Sequence, residues 1–241
     1  MQQRPSEDSL WIVVPAAGSG SRMNADLPKQ YLPLLNHTVI EITLKKLLSL
    51  HNAEKIIVSL HAEDRHWHTL SCAQNPQIQT VIGGEERSLS VLAALKHIRK
   101  QAKERDWVLI HDAARACIMS ETVESMLASL VGEDIGGILA VASDDTLKQV
   151  AGQRVHSTLD RRTIWRAQTP QVFRYGLLYK SLCQAINTNQ PVTDEASAVE
   201  MAGYMPRILP GRKDNIKITH AEDLSLAEFI LQQQQTQQLI K

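Results

Sequence analysis

Arg22, Lys29, Glu85, Asp112 and Arg115 all fall in turns at the ends of expected strands, and their types suit the handling of phosphate. Arg22 and Lys29 follow Ala16-Ala17-Gly18-Ser19-Gly20-Ser21, a loop of small side chains. Its glycines tolerate positive φ, and bare amide N–H groups there let a bulky anion approach the main chain. A tight strand-to-helix turn would use the same small residues, but the two cations beyond it favour a polyphosphate site. The dinucleotide fingerprint is not met, because Met23 stands where its third glycine belongs, and Ser21-Arg22-Met23 does not complete a Walker A loop. Asp112 follows the apolar run Trp107-Val108-Leu109-Ile110. A carboxylate there can hold a phosphate-bound magnesium ion with few protein ligands, or can simply cap a helix or brace its loop. His111 reads as a packing or solvated histidine, and no serine lies on a nucleophile-elbow pattern.

The elements that must position these residues alternate. Trp11–Val14, 55–60, 78–82, 107–110 and 136–142 read as strands, several of them continuous apolar runs typical of buried parallel strands. Helical spacing of apolar residues recurs over 39–48, 88–98, 120–131, 175–186, 194–202 and 221–231, with Ser88 and Asp194 as expected N-caps. The stretch 61–73 also reads as helical. Its His66 and His68 could suggest a metal site, but residues two apart do not share a helix face, so they read as solvated. Short strands are expected at 205–209 and 215–219, and the glutamine-rich tail 232–238 reads as frayed. The order predicts an α/β, Rossmann-like, mostly parallel sheet flanked by helices. From Ser143 to Trp165 the chain turns polar, with a turn signal at Ala151-Gly152-Gln153, which predicts a protruding β-arm that needs a second subunit to lie against. One domain spanning 1–241, with the arm at about 143–165, is the expected organisation.

Composition narrows the function. The chain has 241 residues, 43% hydrophobic, with zero formal net charge, so bulk nucleic-acid binding is not expected. Cys72, Cys117 and Cys183 lie far apart, which argues against a disulfide framework or a zinc ribbon. No apolar run approaches the length of a membrane span, and a cytoplasmic protein with no membrane partner is expected.

The blocks PAAGSGSRM, PKQY, GGEERSLSV, HDAAR, Asp145-Thr146, LDR, AQTPQ, TDEAS and GRKDNIKIT run in order from Val14 to Thr219. Together they resemble the 2-C-methyl-D-erythritol 4-phosphate cytidylyltransferases, nucleotidyltransferases of the non-mevalonate isoprenoid route. The resemblance implies that CTP and the sugar phosphate are the substrates, that Mg²⁺ is bound by Asp112, and that the chain is a homodimer whose arm crosses to its partner. By motif, Arg22 and Lys29 would stabilise the transition state, while Arg161 and Lys217 would position the sugar phosphate. Gly18 and Gly20 would offer amides to the triphosphate. Ala16, Ala17, Gly84, Glu85 and Ser90 would form the cytosine pocket, and Thr146, Thr169, Thr193 and Asp194 would add hydrogen bonds. Arg115 belongs to the same HDAAR block.

Two positions depart from the family pattern. Ala116 replaces a usual proline, which predicts a looser loop after Arg115, and Glu85 replaces a commoner aspartate. A pentitol phosphate cytidylyltransferase, such as the ribitol 5-phosphate enzymes, is similar in nearly every block. A non-catalytic nucleotide-binding module on the same scaffold is the alternative from another class.

Overall fold

The computed structural model describes residues 8–18 and 27–239. Strand β1 (Leu10–Pro15) is buried almost throughout. Its alternation sends Leu10, Ile12 and Val14 into one apolar cluster and Trp11 and Val13 into another, so both faces of the sheet are covered. A small hairpin, β2 (Pro33–Leu34) and β3 (His37–Thr38), leads into α1 (Val39–Leu48). Thr38 and Glu41 form a reciprocal capping box that satisfies two amides at the start of this helix. Strands β4 (Ala53–Leu60) and β5 (Ile78–Ile82) follow, then α2 (Arg87–Ile98), β6 (Trp107–Ile110), α3 (Ser120–Ser129) and β7 (Gly136–Ala142). The arm is the hairpin β8 (Lys148–Ala151) and β9 (Arg154–Thr158). Gly152, at φ +59°, is the first residue of its two-residue loop, where a II′ turn calls for glycine. The chain returns through β10 (Trp165–Arg174) to α4 (Tyr175–Asn187), α5 (Glu195–Met201), β11 (Arg207–Pro210) and α6 (Ala221–Leu239).

Among the described residues the main sheet has seven strands in the order β11-β7-β10-β6-β1-β4-β5. All pairs are parallel except those made by β10, which runs against β6 and β7. Helices α1 and α3 cover one face, and α2, α4 and α5 cover the other. From β1 the chain builds outward through β4 to β5, then crosses back to β6 on the other side of β1. This reversal opens a crevice beyond the carboxyl ends of β1 and β6, the place where open α/β sheets hold ligands.

Four expectations are corrected. The stretch 61–73 is not a helix but two short 3₁₀ turns, Trp67–Thr69 and Ser71–Gln74. The Asp64 carboxylate accepts from the amides of His66 and Trp67, a local capture that competes with helical bonding. Ser88 does not cap α2, which begins one residue earlier after an extended Glu86 that makes no side-chain cap bond. The segment 215–219 forms no strand. Its Ile218 amide instead donates to the Ala114 carbonyl at 2.9 Å, tying it to the loop after β6. The glutamine tail is helical as far as Leu239. Buried Gln234 anchors it, donating to the Cys117 carbonyl at 2.9 Å and accepting from Lys46 Nζ at 2.8 Å.

Candidate active site

The crevice holds two clefts. The larger, about 310 Å³, is floored by Ala16, Ala17 and Gly18 after β1, and walled by Lys29, Gly84, Glu85 and Ser90. Small residues are needed where the loops after β1 and β5 touch. A Cβ on Gly83 would lie 2.7 Å from both the Ala17 Cβ and the Ser90 Oγ, and one on Gly84 would lie 2.4 Å from the Leu89 Cβ. Among the described residues, no atom beyond its chain neighbours lies within 4 Å of a Cβ built on Gly18. Gln30, buried, pins the loop by donating to the carbonyls of Ala16 and Gly18 at 2.8 and 3.3 Å. The Ser90 hydroxyl holds the Gly84 turn, accepting from the Gly84 amide at 3.2 Å.

Arg87, Asp112 and Lys217 line both this cleft and a second one of about 200 Å³, and so form the wall between them. The Asp112 carboxylate accepts from Arg87 Nε at 2.9 Å and pairs with Lys217 Nζ at 2.8 Å, with Arg115 Nε farther off at 3.7 Å. Burial opposes its ionisation, but Arg87, Lys217 and Arg115 together hold the carboxyl well below the usual carboxylate range. Arg87 in turn grips fully buried Glu195 with both terminal nitrogens, at 2.7 and 2.9 Å. Burial raises the Glu195 carboxyl above the usual range, an effect the Arg87 guanidinium opposes without cancelling.

The second cleft adds Arg115, Gln168, Thr169, Gln171, Thr193 and Asp194. Asp194 caps α5 by accepting from the Ser197 amide at 2.9 Å, as its position predicts, while its other oxygen accepts from Gln171 Nε2 at 2.8 Å. His111 is wholly buried behind this cleft. Its Nε2 lies 3.2 Å from the Arg115 carbonyl, which can only accept, so Nε2 carries the proton. Nδ1 therefore accepts from the Thr169 hydroxyl at 3.1 Å, and that hydroxyl accepts from the Asp112 amide at 3.0 Å. His111 is thus a packing residue that sets the height of Asp112. Ala116 is fully buried, and its loop is tied down by Arg115 Nη1 donating to the Asn215 carbonyl at 2.7 Å.

The structure brings Ala16, Ala17, Gly18, Lys29, Gly84, Glu85, Ser90, Asp112 and Lys217 to the larger cleft. Arg115, Thr169, Thr193 and Asp194 reach the smaller one. Gly20 and Arg22 lie outside the described residues. Arg161 and Thr146 line neither cleft. Arg161 sits exposed at the foot of the arm, donating to the Asp144 carbonyl at 2.7 Å. Arg87, Glu195 and Gln30 escaped sequence reasoning although each stands in a quoted block. A signal existed for Arg87: it opens α2, where the helix dipole disfavours a cation, and such local conflicts mark functional sites.

Among the described residues no three His, Cys, Asp or Glu side chains converge as a metal centre. Asp112, the carboxylate on the wall shared by both clefts, suits a magnesium ion carried in on phosphate oxygens rather than one caged by protein.

The family model described as 2-C-methyl-D-erythritol 4-phosphate cytidylyltransferase matches residues 10–233. A protein of that name from Pseudomonas savastanoi pv. phaseolicola is 47% identical over 218 residues, covering 90% of this chain and 92% of the relative. One from Aliivibrio fischeri is 43% identical over 225 residues, covering 93% of this chain and 94% of the relative. The crystal structure of the Francisella tularensis protein of that name superposes with a TM-score of 0.81 at 37% identity, over 92% of this chain and 100% of that one. With a Rossmann-like sheet, paired clefts at its switch point and these relatives, the chain belongs to the 2-C-methyl-D-erythritol 4-phosphate cytidylyltransferase family.

Proposed function

We propose that the protein transfers the cytidylyl group of CTP to 2-C-methyl-D-erythritol 4-phosphate, giving 4-diphosphocytidyl-2-C-methyl-D-erythritol and pyrophosphate for isoprenoid precursor synthesis. The supporting observation is the pair of clefts divided by Arg87, Asp112 and Lys217. Two anions held on either side of such a wall meet where the fixed charge is positive. The larger cleft suits the nucleotide. Cytosine presents an N4 donor beside two acceptors, and the floor of alanines with Gly84, Glu85 and Ser90 suits a flat base that needs such partners. The smaller cleft suits the sugar phosphate, with Arg115 for the dianion and Thr169, Thr193 and Asp194 for hydroxyl groups.

A phosphate oxygen of the acceptor attacks the α-phosphorus in line. The new P–O bond forms as the α–β bridge breaks, and the electron pair leaves with pyrophosphate. The protein positions both reactants and neutralises charge on the phosphoryl oxygens. Lys29 does so from the nucleotide side, together with Arg22 by family resemblance, and Lys217 does so from the dividing wall. Asp112 would hold magnesium, which when bound screens the triphosphate charge.

The arm supports a homodimer of single-domain subunits. Its Val150 and Val155 are 62% and 63% exposed, apolar surface that a second subunit would cover. Arg161 and Thr146, which line neither of their own clefts, would then serve the partner's. A cytoplasmic location accords with three free cysteines, and among the described residues no helix is long and apolar enough to cross a membrane. The test is a competition: CTP, ATP, GTP and UTP are offered with methylerythritol phosphate and ribitol 5-phosphate, magnesium is supplied, and products are identified by mass. The CDP-methylerythritol product should dominate. Faster turnover of ribitol phosphate would reassign the acceptor, and CTP binding without pyrophosphate release would leave a non-catalytic module.

A further inference from the structure

We propose that Arg87, locked in place by Glu195, is a positioning residue that fixes one oxygen of Asp112 and leaves the other exchangeable. This inference rests on the cytidylyltransferase reading and deepens it. The two oxygens are held differently. Oδ1 takes the Arg87 Nε bond, and Arg87 is clamped on its far side by a bidentate grip on a carboxylate with no solvent exposure. Oδ2 takes Lys217, whose side chain is 39% exposed on an irregular segment and so has room to move. The Arg115 contact to Oδ2, at 3.7 Å, is beyond hydrogen-bonding range.

A buried carboxylate costs free energy and is retained here opposite a guanidinium that lines both clefts. A guanidinium fork binds phosphate as readily as it binds carboxylate. Left free, the Arg87 fork would turn onto an incoming triphosphate or acceptor phosphate and drop Asp112. Glu195 occupies both fork nitrogens, so the only bond Arg87 directs at the site is the one to Oδ1. The bridge also joins three elements, because Arg87 opens α2, Asp112 follows β6 and Glu195 opens α5. The wall between the clefts is thereby tied to the sheet and to both flanking helices.

Three variants test this: Glu195→Gln, Arg87→Lys and the neutral pair Arg87→Gln/Glu195→Gln. CTP affinity is read by calorimetry with and without magnesium chloride, alongside thermal midpoint, kcat and both KM values. Glu195→Gln frees the fork, so CTP should bind at least as tightly while kcat falls about 10- to 100-fold, the usual loss for a supporting residue. Arg87→Lys keeps the charge without the fork and should not rescue kcat. The neutral pair should recover the thermal midpoint lost in Glu195→Gln but not the turnover. Native kcat in the neutral pair or in Arg87→Lys overturns the proposal, as does a Glu195→Gln variant whose kcat and CTP affinity fall together with its folded fraction. Native protein assayed in parallel separates the two claims: if it releases no pyrophosphate, the function reading fails.

Discussion

Acidification from about pH 7 to about pH 4.5 should cost the fold roughly 2–3 kcal/mol through His111 alone. Burial pushes this imidazole down from 6.5 to about 4. The unfolded chain titrates normally, so below pH 6.5 it takes up a proton that the folded chain refuses. The stabilisation is therefore complete above 6.5 and drains away as the pH falls toward 4, by at most about 1.4 kcal/mol per pH unit. Protonation would also place a second donor on Nδ1, against the hydroxyl hydrogen that Thr169 now directs there. Asp112 adds little in this range, because in the unfolded chain too an aspartate stays largely ionised above its ordinary value of 3.8; its own contribution is lost only at lower pH. His111→Gln keeps an amide donor for the Arg115 carbonyl and cannot titrate. It should be less stable at neutral pH, because Thr169 loses its acceptor, yet lose less on acidification. Urea titrations of both proteins across the range give the difference directly, and carboxylates common to both cancel. Parallel loss of stability in the two proteins would show that His111 is not the acid-sensitive group.

Two further predictions concern substrates and assembly. Lys217→Ala should raise KM for the sugar phosphate about tenfold or more while CTP affinity stays within about twofold, measured by steady-state kinetics and calorimetry; equal weakening of both would place Lys217 in the wrong subsite. Deleting residues 146–157 should give a monomer by sedimentation with a near-native thermal midpoint and little activity, because the hairpin is exposed on both faces; a fully active monomer would contradict the arm's role.

Much of this architecture could be read from local pattern. Strands such as Trp107–Ile110 announce themselves as unbroken apolar runs between turn residues, because a parallel strand under two helical layers has no polar face to display. The strand-end rule then gathers Lys29, Glu85 and Asp112 around one crevice, where the structure has them. What stayed hidden depends on distant partners. Arg87 meets Glu195 across 108 positions, and nothing in either neighbourhood encodes that meeting. The tail misled for the same reason. Its glutamines look like low-complexity filler until Gln234 finds Lys46, 188 residues away, and is buried against it. The stretch 61–73 differs from helix for a local reason, since one aspartate there captures two amides that a helix would have used.

Strand β10 is exposed over its first three residues, where it pairs with β7 at the foot of the arm, and buried for the rest. The transition falls at Ala167 to Gln171, where its pairing with β7 shifts register and where it also lines the smaller cleft. One strand thus carries the arm at one end and the floor of the smaller cleft in the middle, so a displacement of the foot is passed to that floor through a single length of chain. Whatever seats the foot of the arm therefore also sets the shape of the smaller cleft, while the larger one, which β10 does not line, is left out of that link.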